Sequence, residues 1–174
     1  MTPRIILLLT TAAALSGGLV SCSSQTKARG VVKYEFEHGR TALLRDGVAY
    51  APRKAPPEVI RAIAAGNRLQ DMPYKWGGGH ARQEDSGYDC SGTVSYVLRE
   101  AGLMDGSMPS RGFFGYGKKG YGKWITVYTR KGHVFMTIAG LRLDTGGSHG
   151  RTGPRWKPQP RPAKGHVVRH PRGL

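Results

Sequence analysis

Residues 124–145 read WITVYTRKGHVFMTIAGLRLDT, and this stretch decides the architecture. Ile125 and Val127 alternate with Trp124, Thr126 and Tyr128, the period of a strand with one buried face. Lys131 and Gly132 supply a turn, and residues 133–139 form a second strand. A turn at Ala139 and Gly140 then leads into a third strand over 141–145. With two-residue turns, Ile125, Val127, Val134, Met136, Ile138, Leu141 and Leu143 all fall on one side of an antiparallel meander. The opposite side carries His133, Phe135, Thr137, Arg142 and Asp144. Asp144 lies across from Phe135 and diagonal to His133, a separation of roughly 7 Å, and Thr145 points the other way.

Two helices precede this sheet. Pro56 and Pro57 lead into Glu58, Val59, Ile60, Ile63 and Ala64, whose spacing gives one apolar face of a helix running to about Leu69. Proline in the first turn is the expected start. Asp89 is a candidate N-cap for a second helix, along which Cys90, Val94, Val97 and Ala101 follow the i, i+4, i+7, i+11 series, and Gly102 ends it. The fold class is therefore α+β, with N-terminal helices packed on an antiparallel sheet. Between the helices, PYKWGGG at 73–79 is a backbone that must turn sharply or let another segment approach closely. Gly115 to Gly122 has neither a helical nor a strand period and reads as a loop, a candidate lining for a groove.

The 174 residues suffice for one domain with extensions. Residues 1–21 read as a lipoprotein-type export signal: Arg4, an apolar run over 5–15 too short to span a bilayer comfortably, then small residues. Leu19, Val20, Ser21 and Cys22 resemble a lipobox, which implies acylation of Cys22 and a lipid anchor facing the cell wall. The plain alternative is an ordinary cleaved signal or a membrane anchor. Residues 22–55 read as a strap or linker with a pair of strands over 31–36 and 41–50 about the turn residues His38 and Gly39. Residues 56–150 read as the domain that holds both helices and the meander. Residues 151–174 are a basic, proline-rich extension packed in part over the domain, in which VVRHP could add an edge strand.

Lysine and arginine number 27 against 11 acids, a net charge of +16, and the last thirty positions carry no acid. A polyanionic neighbour follows. No zinc-finger spacing, aromatic RNA-binding motif or basic recognition helix is present, so nucleic-acid binding has charge alone in its favour. Membrane headgroups and cell-wall polymers satisfy the same field. His166 and His170 have metal-like spacing without a second ligand pair, so neither a metal nor a cofactor is expected. Asp71, Glu84 and Asp85 could bind a cationic group, although a solvated loop is the default for such residues.

Chemistry concentrates on one cysteine. If Cys22 carries lipid, Cys90 is the sole thiol of the mature chain. At the first turn of a helix the macrodipole favours thiolate over thiol, and free N–H groups there can receive an oxyanion. His133, opening a strand, can take the thiol proton and return it to a leaving amine, and Asp144 can hold its tautomer. The plain reading of a lone cysteine on an apolar helix face is packing, and that of His133 is a satisfied surface histidine. His149, beyond the third strand, is the rival to Asp144.

PYKWGG at 73–78, YDCSG at 88–92 and GHVFMTIAG at 132–140 resemble the NlpC/P60 family over roughly residues 56–145. The resemblance implies a papain-like core and cleavage of the D-glutamyl to diaminopimelate bond in peptidoglycan stem peptides. It places Tyr74 beside the nucleophile, at the oxyanion site or on substrate, and Asp89 and Ser91 against the peptide's free amine. Two features depart from the family. Its third polar residue is usually histidine where this chain offers Asp144, and its glycine-aspartate strand motif is replaced by the glycine-rich loop and WITVY. The alternatives are an amidase or acyl transferase on the same residues, or a lipid-anchored wall-binding protein without turnover.

Overall fold

The three strands of the meander form with the register that their turns dictate. In the computed structural model, which describes residues 26–146 and 152–174, they are β5 (Ile125–Arg130), β6 (His133–Ile138) and β7 (Leu141–Asp144). Arg130 pairs with His133 and Ile138 with Leu141 across the two turns. Ala139 and Gly140 both take positive φ (44° and 79°), as a tight two-residue hairpin demands. Ala139 is held there by hydrogen bonds from its N–H to Trp124 O (2.7 Å) and from Ala42 N–H to its carbonyl (2.8 Å).

The seven residues expected on one face are all fully buried, in a core shared with Val94, Val97 and Leu98 of one helix and Val59, Ala62 and Ile63 of the other. Among the described residues the helices are α1 (Pro57–Arg68) and α2 (Cys90–Glu100), and they pack on each other and on β6. The fold is α+β with an antiparallel sheet.

The opposite face of the sheet is covered as well. Phe135 stacks on its cross-strand partner Tyr128 at 4.6 Å between ring centroids, and Ala28, Ala163 and Val168 close over them. The cover comes from the two ends of the chain. Strand β1 (Val31–Val32) pairs with β9 (Arg161–Pro162), not with 41–50 as its sequence suggested. The hairpin in that region is more local: β2 (Leu43–Arg45) and β3 (Val48–Tyr50) turn about Asp46 and Gly47, both at positive φ. An Asp-Gly pair forms that turn with little strain, and it outcompetes the longer connection through His38 and Gly39.

The C-terminal stretch differs from the expected edge. Among the described residues the sheet has six strands in the order β4, β10, β5, β6, β7, β8, so β10 (Val167–His170) is interior, between β5 and β4 (Lys118–Lys119). Val167 and Val168 are both buried, which an edge strand with one wet face would not require. The pair β4 arises inside the glycine-rich segment read as loop, after a 3-10 turn over Gly112–Gly115. At the other edge, β8 (Arg155–Lys157) drives Trp156 against α1. A Cβ on Gly66 would lie 2.4 Å from the indole, and the Trp156 Nε1–H donates to Asn67 Oδ1 at 2.8 Å. Asn67 also exchanges hydrogen bonds with both backbone groups of Ala49, so one side chain ties β3, α1 and β8 together.

Candidate active site

Cys90 opens α2, whose first turn packs on the tight 73–79 loop. Asp89 caps the helix: its Oδ1 accepts from Gly92 N–H (2.7 Å) and from Ser91 Oγ–H (3.0 Å), and its Oδ2 accepts from Gly77 N–H (3.1 Å). Gly78 and Gly79 lie against Gly92 in the first turn of α2, whereas a Cβ on Gly77 would meet nothing within 4 Å. A Cβ on Gly92 would fall 1.9 Å from Gly78 O, and one on Gly78 would fall 2.2 Å from Gly87 O. The close approach anticipated from GGG is therefore made by the helix that carries the thiol. Gly92 N–H goes to Asp89 Oδ1 and Thr93 N–H to Asp89 O, so among the described residues the cap leaves the donors nearest the thiol, those of Cys90 and Ser91, without an acceptor. Cys90 is half-buried.

His133 stands at the first position of β6. Its Nε2 lies 3.0 Å from Asp144 Oδ1, so the diagonal pair across the meander closes into a hydrogen bond. A carboxylate only accepts, which makes Nε2–H the donor and leaves Nδ1 as the ring's acceptor. The Cys90 thiol lies close enough to the imidazole to act on its titration. The structure thus brings Cys90, His133 and Asp144 together. His149 and Cys22 lie outside the described residues.

Two arginines complete the carboxylate's surroundings, and neither was singled out as a site residue in the sequence. Arg142 Nη1 reaches Asp144 Oδ2 at 2.6 Å and Arg161 Nη1 at 3.2 Å, while Gly146 N–H donates to Oδ1 at 2.8 Å. Arg161 also lies over the Phe135 ring at 4.9 Å. Parity along β7 puts Arg142 on the same face as Asp144 and so hinted at this contact. Arg161 is seventeen positions away on β9 and gave no signal.

Burial by itself would push the Asp144 carboxyl up. Its hydrogen bond with His133 and the charge of Arg161 outweigh that and hold it below the usual carboxylate range. Burial likewise pulls the His133 imidazolium down, but the hydrogen bonds to Asp144 and Cys90 overcome it and raise the imidazole above its ordinary value. The arrangement favours transfer of a proton to His133 and keeps Asp144 ionised beside it.

Tyr74 is half-buried, and its backbone bridges to Tyr88, two residues before the thiol. Both oxygens of Asp89 are engaged within the chain. Ser91 Oγ donates to Asp89 and lies 3.1 Å from His80 Nε2, which is also 3.1 Å from Asp89 Oδ1. These two residues therefore build the cap, and a peptide amine would have to share hydrogen bonds already made. His80 was not anticipated, and only its nearness to the triple glycine marks it in the sequence. Trp76, on the same loop, is 79% exposed. Asp85 is held by Lys75 Nζ (2.5 Å) and Gly79 N–H (3.2 Å), Glu84 accepts from Tyr96 OH, and Asp71 lies 3.9 Å from Arg155. His166 and His170 each direct Nδ1 to a carbonyl at 3.1 Å.

No family model matches this chain, and no curated protein matches it. What the site can do rests on its own chemistry: a thiol, a base whose tautomer is held, a buried anion behind it, and two N–H groups at a helix start that no other described residue engages.

Proposed function

We propose that the chain is a cysteine peptidase on a papain-like core of the NlpC/P60 type, hydrolysing a stem-peptide amide of peptidoglycan, with the D-glutamyl to diaminopimelate bond as its target. The observation that carries this reading is His133, hydrogen-bonded to Asp144 and close to the Cys90 thiol at the start of α2. The thiol proton passes to Nδ1 of His133, and Sγ attacks the amide carbon. The oxyanion is received by the N–H groups of Cys90 and Ser91. The imidazolium gives the proton to the leaving nitrogen, the C–N bond breaks, and a thioester on Cys90 remains. Water then loses a proton to Nδ1 and attacks the thioester, and the proton returns to sulfur as the acid leaves. Asp144 keeps Nε2–H in place throughout.

The apolar leader and the four residues ending at Cys22 support export and lipid anchoring on the wall-facing side of the membrane. The test uses protein lacking residues 1–22, incubated with defined muropeptides beside Cys90→Ala, with products followed by mass spectrometry. A fragment that needs Cys90 is expected, and its mass names the bond. Equal cleavage by Cys90→Ala overturns the mechanism. Absence of any fragment while Cys90 still reacts with iodoacetamide overturns the substrate.

A further inference from the structure

An open cleft of about 910 Å3 lies in the N-terminal segment, remote from Cys90. Its walls are the 37–41 turn, the end of the β2–β3 hairpin and residues 51–54. Thr41 backs onto Gly140 at the β6–β7 turn, the end of β6 opposite His133, roughly 20 Å along the strand. Two aromatic residues at the cleft, Phe36 and Tyr50, are 51% and 53% exposed. His38, Arg40, Arg53 and Lys54 line the same space and are all exposed, against one acid, Glu37, which pairs with Arg40 at 3.1 Å. Among the described residues neither Arg53 nor Lys54 has an ion-pair partner.

The walls are built before any ligand arrives. Arg40 N–H and Thr41 N–H both donate to Glu37 O at 3.0 Å, and Glu37 N–H donates to Thr41 Oγ1 at 2.6 Å. Ala55 N–H closes the other wall on Pro52 O at 2.9 Å, and Tyr34 OH pins the strand between them to Ala42 O at 2.7 Å. Preformed walls of this kind lower the ordering cost of binding.

We infer that this cleft is a second binding site, for a short segment of an anionic polysaccharide. Exposed rings offer flat apolar faces to the C–H face of a sugar, and unpaired guanidinium and ammonium groups beside them take its carboxylate or phosphate. Size selects between polyanions. A space of this volume, bounded by two turns, holds a few sugar units, whereas single-stranded nucleic acid is bound along an extended basic groove with successive stacking rings. The site is independent of the peptidase reading, because none of its residues touches Cys90, His133 or Asp144.

The test measures binding of a galacturonic acid hexamer to the protein lacking residues 1–22 by calorimetry, beside its methyl-esterified neutral counterpart and a dT oligomer. Cys90→Ala serves as a second host and should bind the hexamer unchanged whether or not the protein is a peptidase. Saturable, salt-sensitive binding of the acidic hexamer is expected, with little for the ester. Arg53→Gln/Lys54→Gln should weaken it about tenfold, and Phe36→Ser/Tyr50→Ser about fivefold. All four residues are exposed, so the variants should keep the parent's melting temperature. No binding of the hexamer, equal binding of the ester, indifference to both double variants, or tighter binding of the dT oligomer through the same residues would each overturn the proposal.

Discussion

Arg142 and Arg161 both bind Oδ2 of Asp144, which leaves Oδ1 for His133 and Gly146. A carboxylate so surrounded stays ionised, and it steadies a positive imidazolium without taking its proton. Asp144→Asn keeps the shape but removes the charge and can present an N–H where His133 needs an acceptor. Turnover is expected to fall by about 10²–10⁴-fold with KM moved far less, as for other orienting carboxylates. Because two largely buried arginines then lose their counterion, stability should also fall by about 3 kcal/mol, read from urea denaturation.

The same pair sets a pH dependence. The raised imidazole of His133 contributes stability fully below its unfolded value of 6.5 and loses it as pH rises through the higher folded value. The lowered carboxyl of Asp144 contributes fully above 3.8 and loses it as pH falls through the lower folded value. The stability difference between the parent and His133→Ala should therefore be largest between about pH 4 and 6.5 and shrink on the alkaline side. A difference that grew between pH 7 and 9 would contradict a charged pair.

At the scale of elements, the site depends on how α2 seats in the glycine loop. Alanine is the better helix former than glycine by about 1 kcal/mol, so Gly92→Ala would stabilise an isolated helix. Here its Cβ would meet a backbone carbonyl, which cannot swing aside as a side chain can. The overpacking cost of about 1–3 kcal/mol wins. Net destabilisation is expected, with loss of hydrolysis beyond what stability explains because the thiol shifts with the turn. Gly115→Ala, which meets nothing within 4 Å, is the control and should be neutral in both assays.

These elements also show where sequence reading succeeds. Both helices and the whole β5–β7 meander were legible because each depends on a local period or a two-residue turn, although on α1 Ile60 and Ala64 face solvent and Ala62 and Ala65 complete the buried side; parity then placed His133 and Asp144 on one face. The β2–β3 hairpin was legible in principle from Asp46-Gly47 but lost to a reading of the His38-Gly39 turn. Strand β10 looked like an edge because four residues near a terminus carry no record of having neighbours on both sides.

For the whole molecule, the C-terminal stretch is part of the sheet. Beyond the pairing of β10 with β5 and β4, Arg169 is buried and donates to Tyr116 O (2.6 Å) and Gly117 O (3.1 Å), holding the segment before β4. Ending the chain at Lys164 would bare the β5 edge, uncover Phe135 and Tyr128 and leave those carbonyls unpaired. A cooperative thermal transition should be lost; its survival near the parent's midpoint would show that β10 is dispensable.

By itself the sequence determined the helices, the meander, the face on which a base and a carboxylate meet, and the placement of a cysteine at a helix start. Periodicity and capping act over a few residues, so they can be read without knowing what lies across the sheet. Only the tertiary structure decided that the second face is covered by both chain ends, that Arg161 from the C-terminal stretch clamps Asp144, and that Phe36, Tyr50, Arg53 and Lys54 gather around one cleft. The first two join positions far apart in the chain, with partners selected by burial and charge once the sheet exists, and the cleft needs the chain between Phe36 and Lys54 to fold back on itself.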